Sequence, residues 1–399
     1  MRSSAGSTPP RVLVTEVQER SGLAAVRGLG LAGFVVGGAA SSTPAQGHWS
    51  RYCRERFTMP DPRVSTEAYA EDLERVLRRD FDIVLPTTDA SLIAISEHRE
   101  RFHDLTRLGL PSKESVRIAL DKVALLGLAA ESGLAPPASI VCTEDVDLWN
   151  AVRELVPPVL IKPHGTSVPN GAGLRSQRGI VVRDEQDAER AIDLIVSPFV
   201  VQRYLVGGEI VSCAGVVADG RLLALAACRY LRTWPPDAGA ASFAQTIAPP
   251  DDLVGRVEDL LARSGWQGVF ELELLVRGTE AHAIDLNPRL HGWLALAVRA
   301  GANLPHIWCQ WLLGSPPPFV MAQPGVYYRW EDGEFLNVVR HLSRGRFRHA
   351  ARCIRPYRNT AYAATTSRDP FPLAARMAWV ARRFPRWVLK HGRRREGMR

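Results

Sequence analysis

Glu273 is followed twelve residues later by Asp285-Leu286-Asn287-Pro288-Arg289, which brings two acids, a carboxamide and a guanidinium into one short stretch. The alternation Val269-Phe270-Glu271-Leu272-Glu273-Leu274-Leu275-Val276 reads as a strand. Arg277-Gly278-Thr279-Glu280 supplies a turn, and Ala281-His282-Ala283-Ile284 leads back. Side chains alternate with a period of two along a strand, so this hairpin is expected to carry Glu273, Asp285 and Asn287 on one face. Hard oxygen ligands grouped this way suit Mg²⁺ (or Mn²⁺) held jointly with the phosphates of a nucleotide. Glu271 stands on the same face as a competing ligand. The pattern is that of a phosphoryl-transfer site.

Lysine usage points the same way. Only four of the fifty basic residues are lysine: Lys113, Lys122, Lys162 and Lys390. Lysine acts on phosphate as a compact point charge, where arginine offers a fork. Lys162 ends the strand-like run Val159-Leu160-Ile161-Lys162-Pro163, beside a glycine-rich loop from His164 to Gly179. Backbone N–H groups of such a loop can serve as phosphate donors.

The elements that must position these groups alternate between strand and helix. Arg11 to Thr15 reads as a first strand, Ser21 to Leu31 as a helix, Phe34-Val35-Val36 as the next strand, and Asp82 to Pro86 as another, followed by a helix from Ala90. An open α/β domain over residues 1–112 is expected. Gly28-Leu29-Gly30-Leu31-Ala32-Gly33 matches GxGxxG, but a dinucleotide fingerprint must follow a strand and open a helix. Here the glycines close a helix and precede a strand, so they read as a C-cap and turn. Further on, a helix near Asp121 to Ser132, strands at Ile180 to Val182, Phe199 to Leu205, Glu209 to Val217 and Leu222 to Ala227, and a helix at Asp252 to Ser264 lead to the hairpin and a last helix from Leu294. Pro316-Pro317-Pro318 reads as a boundary.

The chain has 399 residues, enough for two or three domains, with 46% hydrophobic and 23% charged content. Its six cysteines are scattered, without a CxxC or a Cys/His cluster, so a disulfide framework or zinc site is not expected and a reducing cytoplasm is. Met1 to Pro10 lacks a signal-peptide pattern, and the longest apolar run, Leu29 to Ala40, is too short and too glycine-rich to cross a bilayer. The net charge of +8 is unevenly placed: residues 340–399 hold 17 Lys and Arg against Asp369 and Glu396, while the rest of the chain carries 33 basic and 40 acidic groups.

Five passages in order carry a resemblance: Leu120-Asp121-Lys122, Pro158 to Pro163, Val201-Gln202-Arg203-Tyr204-Leu205-Val206-Gly207-Gly208-Glu209, Ile284 to Arg289, and Leu296 to Pro305. Over about residues 12–314 the chain resembles the ATP-grasp superfamily of carboxylate–amine and carboxylate–thiol ligases, with an N-terminal domain like that of carbamoyl-phosphate synthase and biotin carboxylase. The resemblance implies an N-terminal open α/β (pre-ATP-grasp) domain over 1–112, a two-lobed α+β ATP-grasp domain over 113–314 (lobes 113–200 and 201–314), and a basic helical C-terminal extension over 315–399. It implies that Lys122 and Lys162 hold the phosphates of ATP and that Gln202, Tyr204 and Leu205 belong to the hinge reading adenine. Glu209 would take the ribose hydroxyls. Glu273, Asp285 and Asn287 would hold the metal, and Arg289 would neutralise the acyl phosphate. Most relatives carry Glu at the position of Asp285 and many an acid near Arg203. Arg229, Arg232 and His291 are further candidate substrate contacts, the first two beside a loop from Thr233 to Ser242.

The implied reaction activates a carboxylate as an acyl phosphate and joins it to an amine, releasing ADP and phosphate. Carbamoyl-phosphate-synthase-like or thiol-ligating activity, or an ATP-binding module without turnover, are the alternatives. Small carboxylate and amine substrates are the expected partners, with no nucleic acid. From Leu373 to Leu389 a helical projection gathers Leu373, Met377, Val380, Phe384, Trp387 and Val388 into one stripe, with Arg376, Arg382, Arg383, Arg386 and Lys390 opposite. Packing on the protein's own core, peripheral contact with an anionic membrane, and contact with a nucleic acid or acidic partner are all open for this tail.

Overall fold

The computed structural model describes residues 8–378 apart from 166, 178, 193, 196, 237 and 238. The N-terminal unit comprises β1 (Arg11–Val14), α1 (Arg20–Leu31), β2 (Val35–Ala40), β3 (Cys53–Thr58), α2 (Thr66–Leu77), β4 (Ile83–Leu85), α3 (Asp89–Glu97) and β5 (Arg107–Leu108). Its strands run parallel in the order β3-β2-β1-β4-β5. Val12, Leu13 and Val14 are all buried, as befits a central strand covered on both faces. The order reverses between β1 and β4, so the loops leaving these strands open a crevice at their carboxyl ends. Ser65 caps α2, and Thr88 and Ser91 form a capping box that fixes the start of α3. Gly28 and Gly30 lie inside α1, and Gly33 follows it at φ +91°.

Two helices follow, α4 (Lys113–Leu120) and α5 (Lys122–Glu131), the second capped by Asp121, whose carboxylate accepts from the Val123 and Ala124 N–H groups (2.8 and 3.0 Å). The first lobe contains β6 (Ser139–Cys142), α6 (Asp147–Leu155), β7 (Val159–Pro163), β8 (Ser167–Asn170), β9 (Gly173–Ser176), β10 (Ile180–Val182), α7 (Glu185–Ile192) and β11 (Phe199–Arg203). Its antiparallel sheet has the order β10-β7-β11-β6. The stretch read as a loop from His164 to Gly179 contains the β8–β9 hairpin.

The second lobe is built on β12 (Glu209–Ala218), β13 (Arg221–Trp234), β14 (Ala240–Ile247), α8 (Asp251–Arg263), β15 (Gly268–Arg277), β16 (Glu280–Asn287), α9 (Leu294–Arg299) and α10 (Leu304–Leu312). The chain continues through β17 (Val320–Met321), β18 (Tyr327–Arg329), α11 (Glu331–Leu342), α12 (Phe347–Ile354) and β19 (Thr360–Tyr362). The large sheet runs β16-β15-β12-β13-β14-β18-β19, with β17 on β13. Two sequence expectations change here. β13 runs on to Trp234 and β14 begins at Ala240, leaving only a short connection where a loop from Thr233 to Ser242 was expected. Residues beyond Pro318 continue the same sheet through β17, β18 and β19, so the extension expected from 315 is partly an integral piece of the second lobe. Of the tail stripe from Leu373 to Leu389, the part beyond Ala378 lies outside the described residues.

Packing divides the molecule unequally. One buried cluster joins Val12, Val14 and Leu29 to Ala214, Trp293 and Trp308, and a second joins Leu13 and Phe81 to Leu125, Leu260 and Phe270. The N-terminal unit, α4, α5 and the large sheet thus share core. The first lobe has a core of its own around Leu148, Val152, Ile161, Phe199 and Val201. Among the described residues no helix is long and apolar enough to cross a membrane.

Candidate functional site

The β15–β16 hairpin pairs Glu271 with Asn287 and Glu273 with Asp285, placing all four polar side chains on one face. The other face carries Leu272, Leu274 and Leu286, buried in the shared core. A bulge follows Glu273: Leu274 pairs with Ala283, which leaves Ile284 unpaired. The freed Ile284 carbonyl accepts a hydrogen bond from Lys162 Nζ at 2.5 Å, reaching across from β7 of the first lobe. Lys122, the first residue of α5, forms an ion pair with Asp285, and its backbone N–H donates to His164 O (3.0 Å).

The acids share a tight polar network. Tyr230 Oη lies 2.8 Å from Glu273 Oε1 and 3.1 Å from Glu271 Oε1. Glu271 also accepts from Ser212 Oγ (3.0 Å), Asn287 Nδ2 (3.1 Å) and the Trp293 indole N–H. Burial raises the pKa of Glu273, and the neighbouring carboxylates of Glu271 and Asp285 push it further. Burial alone would raise Asp285 too, but the ammonium groups of Lys122 and Lys162 hold it below the usual carboxylate range. Lys162 has a pKa lowered to about 8 by burial, against the pull of Asp285.

Arg289 leaves the end of the hairpin and meets the N-terminal unit. Its Nε donates to Asp89 Oδ1 at 2.5 Å, and its Nη2 to Asn287 Oδ1 at 3.0 Å. Asp89 opens α3 at the carboxyl end of β4, beside the crevice. In the β1–α1 loop, Glu16 is 5% exposed, accepts from Thr15 Oγ1 (2.6 Å) and has its pKa raised to about 7 by burial. It also holds a φ of +42°, an uncommon backbone state for a residue with a side chain.

The structure therefore brings Lys122, Lys162, Glu273, Asp285, Asn287 and Arg289 together. A cation fits this donor set: burial raises the proton affinity of Glu271 and Glu273, so a positive charge beside them would stabilise their carboxylates, and Asn287 adds a carboxamide oxygen. Among the described residues no three acid, histidine or cysteine side chains form a ready metal cage. Mg²⁺ in phosphoryl-transfer sites ordinarily needs only one or two carboxylates and completes its shell with phosphate oxygens and water.

The hinge residues are placed differently. Gln202 is buried with its amide donating to Ser139 Oγ (3.0 Å). The N–H groups of Arg203 and Tyr204 donate to Ala138 O (2.8 Å) and Pro158 O (3.1 Å). Leu205 is half-buried and starts the turn to β12, where Gly207 and Gly208 hold φ of +80° and +93°. Glu209 is exposed at the strand start, 3.7 Å from Arg229 Nη1. Arg232 is locked against the buried Glu334 of α11 and lies over the Phe243 ring, so it is a structural ion pair. His291 is fully buried against Trp293, and burial with the Arg289 charge pushes its pKa down to about 3.

Asp89, Tyr230, Ser212, Trp293 and Glu16 escape sequence reasoning. Asp89 carries a usable signal, an acid at a helix start directly after a buried strand. The others are brought in by strand register and helix packing alone.

Comparisons with known proteins bear on the fold. No protein-family model matches the chain. It is 23% identical over 301 residues to a formate-dependent phosphoribosylglycinamide formyltransferase from Methanocaldococcus jannaschii, covering 67% of this chain and 70% of that one. Among solved structures, N5-carboxyaminoimidazole synthetase from Staphylococcus aureus in complex with ADP has a TM-score of 0.60 at 13% identity, covering 78% of this chain and 79% of that one. An L-amino acid ligase from Bacillus licheniformis has a TM-score of 0.57 at 14% identity over 78% and 76%.

Proposed function

The chain has the ATP-grasp fold, and we propose that it is an ATP-dependent ligase that activates a carboxylate as an acyl phosphate and joins it to an amine. The observation that carries this reading is the convergence of Lys122, Lys162, Glu273, Asp285, Asn287 and Arg289 from three parts of the chain onto one cleft. The similar proteins add support: one is named for formate dependence, another as a ligase of L-amino acids, and a third is solved with ADP.

Lys122 is ion-paired with Asp285, and Lys162 donates a hydrogen bond to the Ile284 carbonyl. On ATP binding both ammonium groups turn to the phosphates, where clustered cations stabilise a loose phosphoryl-transfer transition state. Glu273, Asp285 and Asn287 would hold Mg²⁺, with Mn²⁺ a workable substitute, and the ion would supply charge neutralisation at the transferring phosphoryl group. Leu205 and the turn after it line the adenine end, and Glu209 at the cleft rim receives the ribose. The substrate carboxylate attacks the γ-phosphorus and ADP leaves. The amine then attacks the acyl carbon and expels phosphate. Arg289, held by Asp89 and Asn287, steadies the charge of the acyl phosphate. The amine-bearing substrate enters the crevice between the β1–α1 and β4–α3 loops, beside the Glu16 carboxyl. A cytoplasmic setting accords with six buried free thiols.

Mg²⁺-dependent ADP release is to be measured against pooled carboxylates crossed with pooled amines, with mass detection of condensates. Release that requires both pools supports the ligase. Release with carboxylates and thiols only, or ATP binding without turnover under every combination, removes it.

A further inference from the structure

We propose that the outer face of α11 and α12 docks on an anionic membrane surface. Helix α11 turns Gly333, Glu334 and Asn337 inward, where Glu334 holds Arg232. Its opposite side presents Phe335, Val339 and Leu342 at i, i+4 and i+7, with exposures of 63, 48 and 47%. Helix α12 repeats the arrangement. Ala350 and Cys353 are buried, while Phe347 and Ile354 stand 70 and 67% exposed with Ala351 between them. Two neighbouring helices thus carry apolar stripes to solvent, although each has an inward face already satisfied. Bulky apolar side chains exposed together on adjacent helices mark an interaction surface.

Charge selects the partner. From Arg340 to Arg368 there are eight arginines and no Asp or Glu. Arg344, Arg346, Arg348, Arg352 and Arg358 are exposed around the apolar stripes and form no ion pair among the described residues. An isologous dimer through this face would set one arginine group against another. The chain's own segment from 379 to 399 is a poor cover for the same reason, with eight Lys and Arg against Glu396. A nucleic acid would neutralise the arginines but has no use for the aliphatic Val339, Leu342 and Ile354. An anionic lipid surface satisfies both features: phosphate headgroups meet the arginines, and Phe335, Phe347 and Ile354 enter the acyl boundary. Since no described helix can span a bilayer, the attachment is peripheral.

The test uses the full chain and flotation with vesicles of phosphatidylcholine, with and without phosphatidylglycerol. Binding is expected only to the phosphatidylglycerol vesicles and is expected to weaken as salt rises. The variant F335S/F347S/I354S, which alters exposed positions only, is expected to lose at least about tenfold in vesicle affinity while keeping wild-type turnover in the absence of lipid. A second variant, Phe347→Trp, is expected to show a blue-shifted emission increment over wild type when the anionic vesicles are added. Absence of flotation overturns the proposal. So do wild-type vesicle affinity in the triple variant, which would assign binding to the terminal segment, an oligonucleotide complex that excludes lipid, and concentration-dependent dimerisation that the triple variant abolishes.

Discussion

Glu16→Gln is expected to stabilise the protein above neutral pH and leave it nearly unchanged in mild acid. Glu16, in the β1–α1 loop, is 5% exposed, and burial raises the pKa of its carboxyl from the usual 4.5 to about 7. Between these two values the folded chain keeps a proton that the unfolded chain releases, so the proton-linked stability is fully present below pH 4.5 and is lost as pH rises through 7. The loss amounts to about 3 kcal/mol by pH 8, taking about 1.4 kcal/mol per pH decade of separation. Glutamine carries no titrating charge and retains an acceptor for Thr15 Oγ1. Urea unfolding of both proteins at pH 5 and pH 8 reads the difference: the variant's advantage should grow by roughly 2–3 kcal/mol between the two. An advantage independent of pH, or a wild type that gains on the variant as pH rises, would show that the carboxyl is not held protonated by burial. The same variant tests the crevice. A higher KM for the amine with an unchanged KM for ATP is expected, and equal changes in both would remove Glu16 from the acceptor subsite.

Lys162→Ala and Asn287→Ala are each expected to lower kcat by at least about a hundredfold with circular dichroism unchanged, since both act on transition-state charge; near-normal turnover in either removes the site assignment. Asp89→Ala leaves the Arg289 guanidinium without its buried counter-ion, so a destabilisation of about 2–4 kcal/mol and a loss in kcat are expected, and Asp89→Asn should recover most of the stability but not the rate. Equal rates in the Asn variant and wild type would make the pair purely structural. Arg232→Ala uncovers the buried Glu334 and is expected to cost about 3 kcal/mol in thermal or urea unfolding while leaving the KM of both substrates within about twofold. A selective rise in the acceptor KM would return Arg232 to the substrate site.

The hairpin was legible because its chemistry follows from local alternation. Glu271, Glu273, Asp285 and Asn287 share a face by period alone, and scarce lysines mark Lys122 and Lys162. What alternation cannot supply is register. The bulge that frees the Ile284 carbonyl for Lys162 is a one-residue slip, invisible in a run where every residue suits a strand. Tyr230 reaches Glu271 and Glu273 only because β13 lies one strand beyond β12 in the sheet. The strand Cys53–Thr58 escaped notice because Arg54, Glu55 and Arg56 break the apolar pattern at a sheet edge. Ala240–Ile247 escaped because Ala, Ser and Thr read as connection, although pairing between β13 and β18 makes them strand. In the hinge around Gln202, the pairing of the Arg203 and Tyr204 N–H groups with Ala138 O and Pro158 O likewise depends on register rather than on local pattern.

The division of cores decides which part of the site can move. The β15–β16 hairpin shares its buried side with the N-terminal unit, and Arg289 bonds directly to Asp89, so Glu273, Asp285 and the crevice are parts of one packed body. The first lobe packs on itself and brings to that body Lys162 and the β8–β9 hairpin. The hairpin closes on the N-terminal unit through backbone: Leu174 N–H donates to Arg63 O (3.0 Å) and Thr66 N–H to Ala172 O (3.1 Å). Gly173 permits this approach, since a Cβ there would stand 2.3 Å from Arg63 O. The contacts named are main-chain hydrogen bonds with the buried Leu174 beside them, a lighter join than the core shared by the N-terminal unit and the large sheet, and such a join is expected to open at lower cost. Swinging the first lobe away would withdraw Lys162 from the cleft and expose the phosphate side to incoming ATP, while Glu273, Asp285, Asn287 and Arg289 keep their mutual geometry. On the proposed reading, pre-organisation and access would fall to different pieces of chain: the carboxylates and Arg289 on the shared core, and Lys162 on the first lobe.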